Sequence, residues 1–265
     1  MSAEPTLDII RRDPVGEAQP TPLLFVHGAW HANWCWDVHF LDHFAALGYE
    51  VAAVSLRGHG ESEGRGRLRR TRVREYVADV ERAAATMTSR PVVVGHSMGG
   101  MVVQKFLERH DAPGGVLVAS VPPKGVIGIT LRLARERPLT FAKVNATMSL
   151  WPFVSDPEHA KALFYSEDLA AADDYVTRLQ DESFFGFLDM LALDRPKPKR
   201  VTAPVLVLGG ERDVIFPPSD VRDTAAAYGT EAHLFPMAHN MMAEDGWEAV
   251  ADRIDTWVRS VTAGV

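Results

Sequence analysis

A serine in a glycine-flanked turn is the residue of this chain best suited to act as a nucleophile. Ser97 lies at the centre of GHSMG, residues 95–99, which matches the pattern G-x-S-x-G. The Val-rich run 91–94 precedes it and the apolar run 101–110 follows it. At a strand-to-helix junction this pattern requires a tight turn, and its small residues let strand and helix approach while the serine projects. The sequence therefore predicts a nucleophilic hydroxyl at Ser97.

A serine hydroxyl is a poor nucleophile at its ordinary pKa, so it needs a histidine base and a carboxylate that orients the base. The apolar run 204–208 leads into GGERD, which places Asp213 in the loop after a predicted strand. The run 231–235 leads into PMAHN, which places His239 in the turn after the last predicted strand. The order serine, acid, histidine then predicts a Ser-His-Asp triad.

Two residues near this predicted triad have other interpretations. Glu211 is the alternative acid, and its simpler interpretation is a solvated loop charge. His233 lies inside the last predicted strand and is interpreted as structural. The run 115–119 is followed by no carboxylate in its loop, which favours Asp213 as the acid.

The oxyanion of an ester reaction needs two hydrogen-bond donors. The amide of Met98 follows the serine at the start of a predicted helix, where the helix dipole favours negative charge. The run 22–26 ends at HGAW, where Gly28 lets the backbone approach the nucleophile and Ala29 can present a second N–H. We therefore predict an oxyanion hole formed by the amides of Ala29 and Met98.

Short apolar runs alternate with helix-length segments, which predicts an α/β fold. Continuous rather than alternating apolarity indicates parallel strands that are covered on both faces. The predicted strands are residues 22–26, 51–54, 91–94, 115–119, 204–208 and 231–235. The predicted helices are residues 33–47, 71–87, 98–110, 219–228 and 245–261.

The segment 121–200 interrupts this alternation because it contains helical stretches and proline pairs but no convincing strand. A structureless loop of that length is implausible in a compact domain, so we predict a helical cap over the C-terminal edge of the sheet. Residues 1–120 and 201–265 then form the core domain. The cap aromatics either pack on the core or line a substrate pocket. We expect substrate contacts from Trp30 in the core and from Trp151 and Phe184 in the cap.

Composition bounds the class of protein. The chain has 265 residues, 46% hydrophobic and 24% charged, as in ordinary globular proteins. Its net charge of -7 disfavours a nucleic-acid partner. The single cysteine, Cys35, fits a reducing compartment and is interpreted as a buried small hydrophobe, not a nucleophile. The N-terminus has no signal-peptide pattern and no apolar run has membrane-spanning length, so a cytoplasmic location is expected.

Other motifs are given minor roles. The arginines of the segment 65–74 are interpreted as a solvated face, with a phosphate-bearing or acidic partner as the alternative. His39 and His43 have i, i+4 spacing, but no third ligand or H-E-x-x-H pattern accompanies them, so no metal is expected. His59 and Ser62 are expected to brace the site. No phosphate-binding or dinucleotide-binding glycine motif is present, so no cofactor is expected.

Together these motifs resemble the α/β-hydrolase superfamily over essentially the whole chain. The resemblance is carried by HGAW, RGHGES, GHSMGG, GGERD and AHN. The pairing of HGA with GHSMGG is similar to monoacylglycerol-lipase-like and carboxylesterase members, and HGAWHANWCW is similar to the plant methyl-esterase and hydroxynitrile-lyase branch. The resemblance implies a twisted, mostly parallel sheet with Ser97, Asp213 and His239 as the triad. The short segment before Thr21 suggests fewer than eight strands.

The expected function is hydrolysis of a small-molecule carboxylic ester with an apolar acyl or alcohol part. The same triad serves thioesterases, C–C bond hydrolases, perhydrolases and hydroxynitrile lyases, and these alternatives stay open because fold does not fix function. A ligand-binding receptor with slow or vestigial turnover is an alternative of another class. The serine at the turn disfavours dehalogenases and epoxide hydrolases, whose nucleophile is an aspartate.

Overall fold

Seven strands form one twisted sheet in the computed structural model, which describes residues 4–263. The spatial order of the strands is β1-β3-β2-β4-β5-β6-β7. β1 pairs antiparallel with β3, and the other pairs are parallel. The strands are β1 Ile9–Arg12, β2 Leu23–Val26, β3 Val51–Val54, β4 Val92–His96, β5 Gly115–Val118, β6 Val205–Gly210 and β7 Ala232–Phe235.

The central strands owe their continuous apolar sequences to helices on both faces of the sheet. Every residue of β2, β3, β4, β5 and β6 is buried. Parallel strands covered on both faces have this character, as the sequence predicted. The helices outside the segment 121–200 are α1 Trp34–Asp37, α2 Phe40–Ala46, α3 Val73–Ala84, α4 Met98–Leu107, α10 Pro218–Ala227 and α11 Trp247–Thr262. The predicted α/β class and the expectation of fewer than eight strands are confirmed for residues 4–263.

Two details differ from the sequence prediction. β1 was not predicted, because this edge strand is four residues long and partly exposed. The predicted helix 33–47 is two helices, since the backbone leaves helical geometry at His39, with φ of -142°. The ring of His39 stacks on Trp247 at 4.8 Å, and His43 meets the same indole edge-on at 5.2 Å. Packing on Trp247 explains this histidine pair without a metal.

Five α-helices and three shorter helical turns lie between β5 and β6, although these strands are direct neighbours in the sheet. They therefore form an excursion from the C-terminal edge of the sheet. The bounds of the α-helices are α5 Ile127–Glu136, α6 Pro138–Thr147, α7 Pro157–Phe164, α8 Ala172–Thr177 and α9 Phe184–Leu188.

Arginines of the segment 65–74 attach this excursion to the core. Arg72 makes a two-pronged ion pair with the buried Asp189, with Nε at 2.9 and 2.8 Å from the two carboxylate oxygens. Arg69 lies 4.0 Å from Asp181, and Arg65 hydrogen-bonds Gln180. The interpretation of this segment as a purely solvated face is therefore incomplete, because part of the cluster binds residues 180–189.

Loss of the Arg72–Asp189 pair should loosen this attachment. Asp189 also accepts the N–H of Val73 at 3.0 Å, so Asp189→Ala leaves a guanidinium and a buried amide without their acceptor. We expect the free energy of unfolding to fall by about 3 kcal/mol, since removing one partner of a buried pair is costly. Urea unfolding measures this change.

The matched control is Asp42→Ala, which removes an exposed partner of Arg12. The side chain of Asp42 is 74% accessible. An exposed pair contributes little, so a change below about 1 kcal/mol is expected. Equal effects of the two substitutions would show that Asp189 does not anchor the segment.

Candidate active site

Ser97 occupies the turn between β4 and α4 in a backbone conformation that L-residues rarely adopt. Its φ is 53° and its ψ is -115°. Such a conformation costs of order 1–3 kcal/mol and persists only where the surroundings enforce it. Here the N–H of Ser97 donates to Val118 O at 3.0 Å, and its carbonyl oxygen accepts from Val121 N at 3.1 Å. The turn is thus bound on both sides to the end of β5.

Glycines make this turn sterically possible. A Cβ on Gly95 would collide with the carbonyl of Gly99, and a Cβ on Gly99 would collide with the backbone at the end of β2. A Cβ on Gly100 would overlap Ser120. The small residues of GHSMGG therefore let α4 lie against the ends of the neighbouring strands, as the motif requires.

The loop after β2 brings a second amide next to the serine. A Cβ on Gly28 would lie 2.7 Å from His96 Nδ1 and 3.0 Å from Ser97 Cβ, so only glycine permits this approach. Ala29 and Met98 line the same cavity as Ser97. Among residues 4–263, neither of these two amides donates a hydrogen bond. Within this range, therefore, neither predicted oxyanion donor is committed to a protein acceptor.

Asp213 and His239 are joined by a buried hydrogen bond. His239 Nδ1 lies 2.8 Å from Asp213 Oδ2, and both side chains are buried. The other carboxylate oxygen of Asp213 accepts the N–H groups of Ile215 and Phe216 at 2.7 and 3.0 Å. A carboxylate oxygen accepts hydrogen bonds, so Nδ1 is the donor in this bond and Nε2 is the remaining nitrogen of the ring.

His239 lies next to the turn that carries Ser97, but no hydrogen bond joins the two side chains in the described part of the chain. The ring of His96, adjacent to the serine, is 4.7 Å from that of His239. His96 Nε2 donates to the carbonyl oxygen of His239 at 3.1 Å. Hydrogen bonds between a catalytic serine and its histidine are often long before substrate binds and shorten in the reactive complex.

The residue after His239 fixes the histidine loop to its surroundings. Asn240 Nδ2 donates to His31 Nε2 at 2.9 Å, and the backbone N–H of Asn240 donates to Phe164 O at 2.9 Å. The Asn of the AHN motif is therefore a structural connection between the histidine loop, the loop after β2 and helix α7.

Three buried histidines around the site are held neutral. Burial lowers the pKa of His31 to about 4. Burial also holds the pKa values of His27 and His96 well below the usual range, with smaller contributions from neighbouring histidines. At neutral pH these rings therefore act as hydrogen-bonding groups without charge.

A cavity of about 80 Å³ lies beside Ser97. Its lining is apolar apart from Ser97 and Thr130, and the Thr130 hydroxyl already donates to Val126 O at 2.7 Å. No charged side chain contributes to it. Residues of the segment 121–200 that line it include Leu133, Leu150, Phe153, Leu163, Phe187 and Met190.

The three residues expected to contact substrate are placed differently. Trp30 lines the cavity. Trp151 is 38% exposed and lies outside the lining, where its backbone N–H donates to Asp181. Phe184 is buried at the start of α9 and also lies outside the lining, whereas Phe187 of the same helix contributes its ring.

The other residues that the sequence singled out lie away from the cavity. Glu211 is exposed, and Asp213 alone of the two acids contacts His239. His233 lies in β7 and contacts Arg253 at 2.7 Å. Cys35 is buried, and burial raises the pKa of its thiol.

One buried acid near the site was missed by sequence reasoning. Glu182, between α8 and α9, contacts the side chains of His59 and Tyr76 and the backbone of Trp30. No periodic or motif signal surrounds Glu182, so only the fold reveals it. Ser62, expected to brace the site, donates to Ser55 O at 2.6 Å.

Within residues 4–263, no three His, Cys, Asp or Glu side chains come together as metal ligands could. No helix in that same range combines the length and apolarity needed to cross a bilayer.

Comparison with known proteins agrees with the resemblance in the motifs. The profile of a family described as "Alpha/beta hydrolase family" matches residues 23–253. A monoacylglycerol lipase of Mycolicibacterium smegmatis is 27% identical over 245 residues, which cover 84% of this chain and 82% of that protein.

Solved structures share the fold. The Paleococcus ferrophilus monoacylglycerol lipase superposes with a TM-score of 0.73 at 22% identity, covering 97% of this chain and 100% of that chain. An esterase from Exiguobacterium antarcticum gives a TM-score of 0.71 at 17% identity, covering 96% and 95% of the two chains. The fold inferred from the motifs is confirmed.

The buried histidines make the fold sensitive to acid. The unfolded chain binds protons at His27, His31 and His96 near pH 6.5, whereas the folded chain resists protonation until lower pH. The free energy of unfolding should therefore fall as pH decreases from 6.5 towards 4, with His31 alone contributing up to about 3 kcal/mol. Urea unfolding from pH 7 to pH 5 tests this, because carboxylates stay largely ionised there. A stability that is independent of pH in this window would contradict it.

Proposed function

The chain belongs to the alpha/beta hydrolase family, and from this premise we propose that it is a serine hydrolase that cleaves a carboxylic ester with an apolar acyl or alcohol part. The observation that carries the proposal is the cavity at Ser97. Ser97, Ala29 and Met98 line it, and the rest of its lining is apolar apart from Thr130. A charged or strongly polar group buried there would find no hydrogen-bond or charge partner to compensate for the loss of water. The cavity therefore favours apolar substituents on the substrate.

The reaction uses the proposed triad in two stages. Asp213 holds the Nδ1–H of His239, whose Nε2 takes the proton of Ser97 as its oxygen attacks the ester carbonyl carbon. The amides of Ala29 and Met98 hold the oxyanion. His239 then protonates the leaving alcohol and an acyl-enzyme remains. His239 then takes a proton from a water molecule, whose oxygen attacks the acyl carbon. As the bond from the acyl carbon to the Ser97 oxygen breaks, His239 returns that proton to the serine oxygen, and the acid leaves.

The excursion between β5 and β6 is proposed to act as the cap of this site. Residues of α5, α7 and α9 supply Leu133, Leu163 and Phe187 to the cavity wall, so residues 121–200 would set the shape of the substrate pocket. The sequence match to a protein named monoacylglycerol lipase supports an acyl ester, with a glycerol ester as the first candidate.

Replacement of the nucleophile tests the proposed function. Ser97→Ala should lower kcat/KM for short p-nitrophenyl esters by at least about 10³-fold, since the attacking oxygen is removed. It should leave the thermal midpoint nearly unchanged and abolish labelling by a fluorophosphonate.

Ser89→Ala is the control, because this serine is exposed and its hydroxyl donates to Pro20 O. It should keep wild-type turnover and labelling. Retained hydrolysis in Ser97→Ala would reject the proposal, as would ligand binding by the wild type with no turnover of esters or thioesters.

The cavity lining predicts a change of chain-length preference. Phe187→Ala removes a ring from the wall, so kcat/KM for an octanoyl ester relative to a butyryl ester should rise about 10-fold. Phe185→Ala also removes a phenylalanine ring from α9, but this ring lies outside the cavity lining. The octanoyl-to-butyryl ratio should therefore stay within about 2-fold of the wild-type ratio. An unchanged ratio in Phe187→Ala would show that the substrate binds elsewhere.

A further inference from the structure

The loop after β2 is held in place by a segment of the cap. We name residues 27–31 the oxyanion loop and residues 180–183 the cap strap. The backbone N–H of Gln180 donates to Trp30 O at 3.0 Å, and its side-chain amide donates to His31 O at 2.9 Å. Glu182 Oε2 accepts the backbone N–H of Trp30 at 3.4 Å.

Glu182 is the buried centre of this contact. Its side chain has no accessible surface. Oε2 also lies 3.0 Å from His59 Nε2, in the core loop after β3. Oε1 accepts the Tyr76 hydroxyl at 2.8 Å and the Ser183 N–H at 2.6 Å. Each carboxylate oxygen therefore receives two donors, and one of the four belongs to the oxyanion loop.

The oxyanion loop needs such support because it is strained. Trp30 has φ of 64°, a left-handed conformation that costs a non-glycine residue about 1–2 kcal/mol. The peptide group between Ala29 and Trp30 is held at both ends, since His31 Nδ1 donates to Ala29 O at 2.8 Å while Glu182 accepts the Trp30 N–H. The Ala29 N–H belongs to the preceding peptide group, which is joined to this one at Ala29 Cα. Fixing the Ala29–Trp30 peptide therefore restricts the positions that the Ala29 N–H can take.

We propose that Glu182 is a positioning residue that fixes the oxyanion loop, so that the Ala29 amide points at the reacting carbonyl oxygen. This inference rests on the proposed function, because it concerns the oxyanion hole of the same reaction. Glu182 touches neither the cavity nor Ser97, and therefore acts through Trp30.

The charge of Glu182 suits this role. Burial opposes ionisation, but His59 and the hydrogen bonds from Ser183 and Tyr76 keep the pKa of Glu182 below its usual value. Burial and the adjacent carboxylate hold the pKa of Tyr76 well above its usual value, so its hydroxyl stays protonated and donates. The acceptor for Trp30 is thus an ionised carboxylate at neutral pH.

The experiment compares Glu182→Gln with Tyr76→Phe. Glutamine keeps the volume of the side chain, but its NH₂ group must face either the Oε1 donors or the Oε2 donors and so disrupts the support. We expect Glu182→Gln to lower kcat about 10- to 100-fold with KM within about 3-fold, because misplacing an oxyanion donor weakens transition-state binding. Tyr76→Phe removes only a bond to Oε1 and should keep kcat within about 3-fold of the wild type. This holds even if its thermal midpoint falls as much as that of Glu182→Gln.

A second measurement does not depend on turnover. Hydrogen exchange of the peptide that spans residues 28–31 should be faster in Glu182→Gln than in the wild type, and unchanged in Tyr76→Phe. Unchanged kcat and exchange in Glu182→Gln would overturn the inference, as would equal losses of kcat in both variants. A wild type without Ser97-dependent hydrolysis would reject the proposed function, while the exchange data would still decide whether Glu182 holds the loop.

Discussion

The left-handed turn at Ser97 is the constraint on which the rest of the site depends. A φ of 53° is unfavourable for serine, and it is maintained by bonds to the end of β5 and by glycines that let α4 lie against β2. Trp30 and Ala119, which follow β2 and β5, also have positive φ values of 64° and 43°. Because β2 and β5 flank β4, the three strained residues meet at one edge of the sheet. Three residues with unfavourable backbone conformations at one edge of the sheet indicate a preorganised site and not a packing defect.

The core of this fold was predictable because its buried strands and the turn after β4 have clear sequence patterns. Continuous apolar runs identified the buried strands, and GHSMG identified the turn after β4. Once these were placed, chain order selected Asp213 and His239, whose hydrogen bond is present. β1 and the break at His39 were not predictable, because a short edge strand has little apolar signal and the break depends on packing against the distant Trp247.

The helices of the segment 121–200 were predicted, but the direction in which each side chain of this segment faces was not, for a different reason. Its aromatic residues occur on helices whose rotation about their own axes is set by tertiary contacts that no local period encodes. Phe184 and Phe187 share one helix, yet only Phe187 lines the cavity. Glu182 depends on partners about 106 and 152 positions away, so no local pattern indicates its role. Core strands follow from composition, whereas the pocket and its support follow from how the cap sits on the core.

The adjacency of β5 and β6 has a consequence for how this scaffold tolerates change. The two strands pair from Gly115 with Val205 to Val118 with Leu208, so the intervening chain leaves and re-enters the sheet at one place. The entropy of closing such an excursion grows only with the logarithm of its length, by about 0.6 kcal/mol per doubling. The loop-closure part of the cost of changing the length of this excursion is therefore small. The excursion can therefore change in length at little loop-closure cost, while the strands that precede Ser97 and Asp213 keep their register.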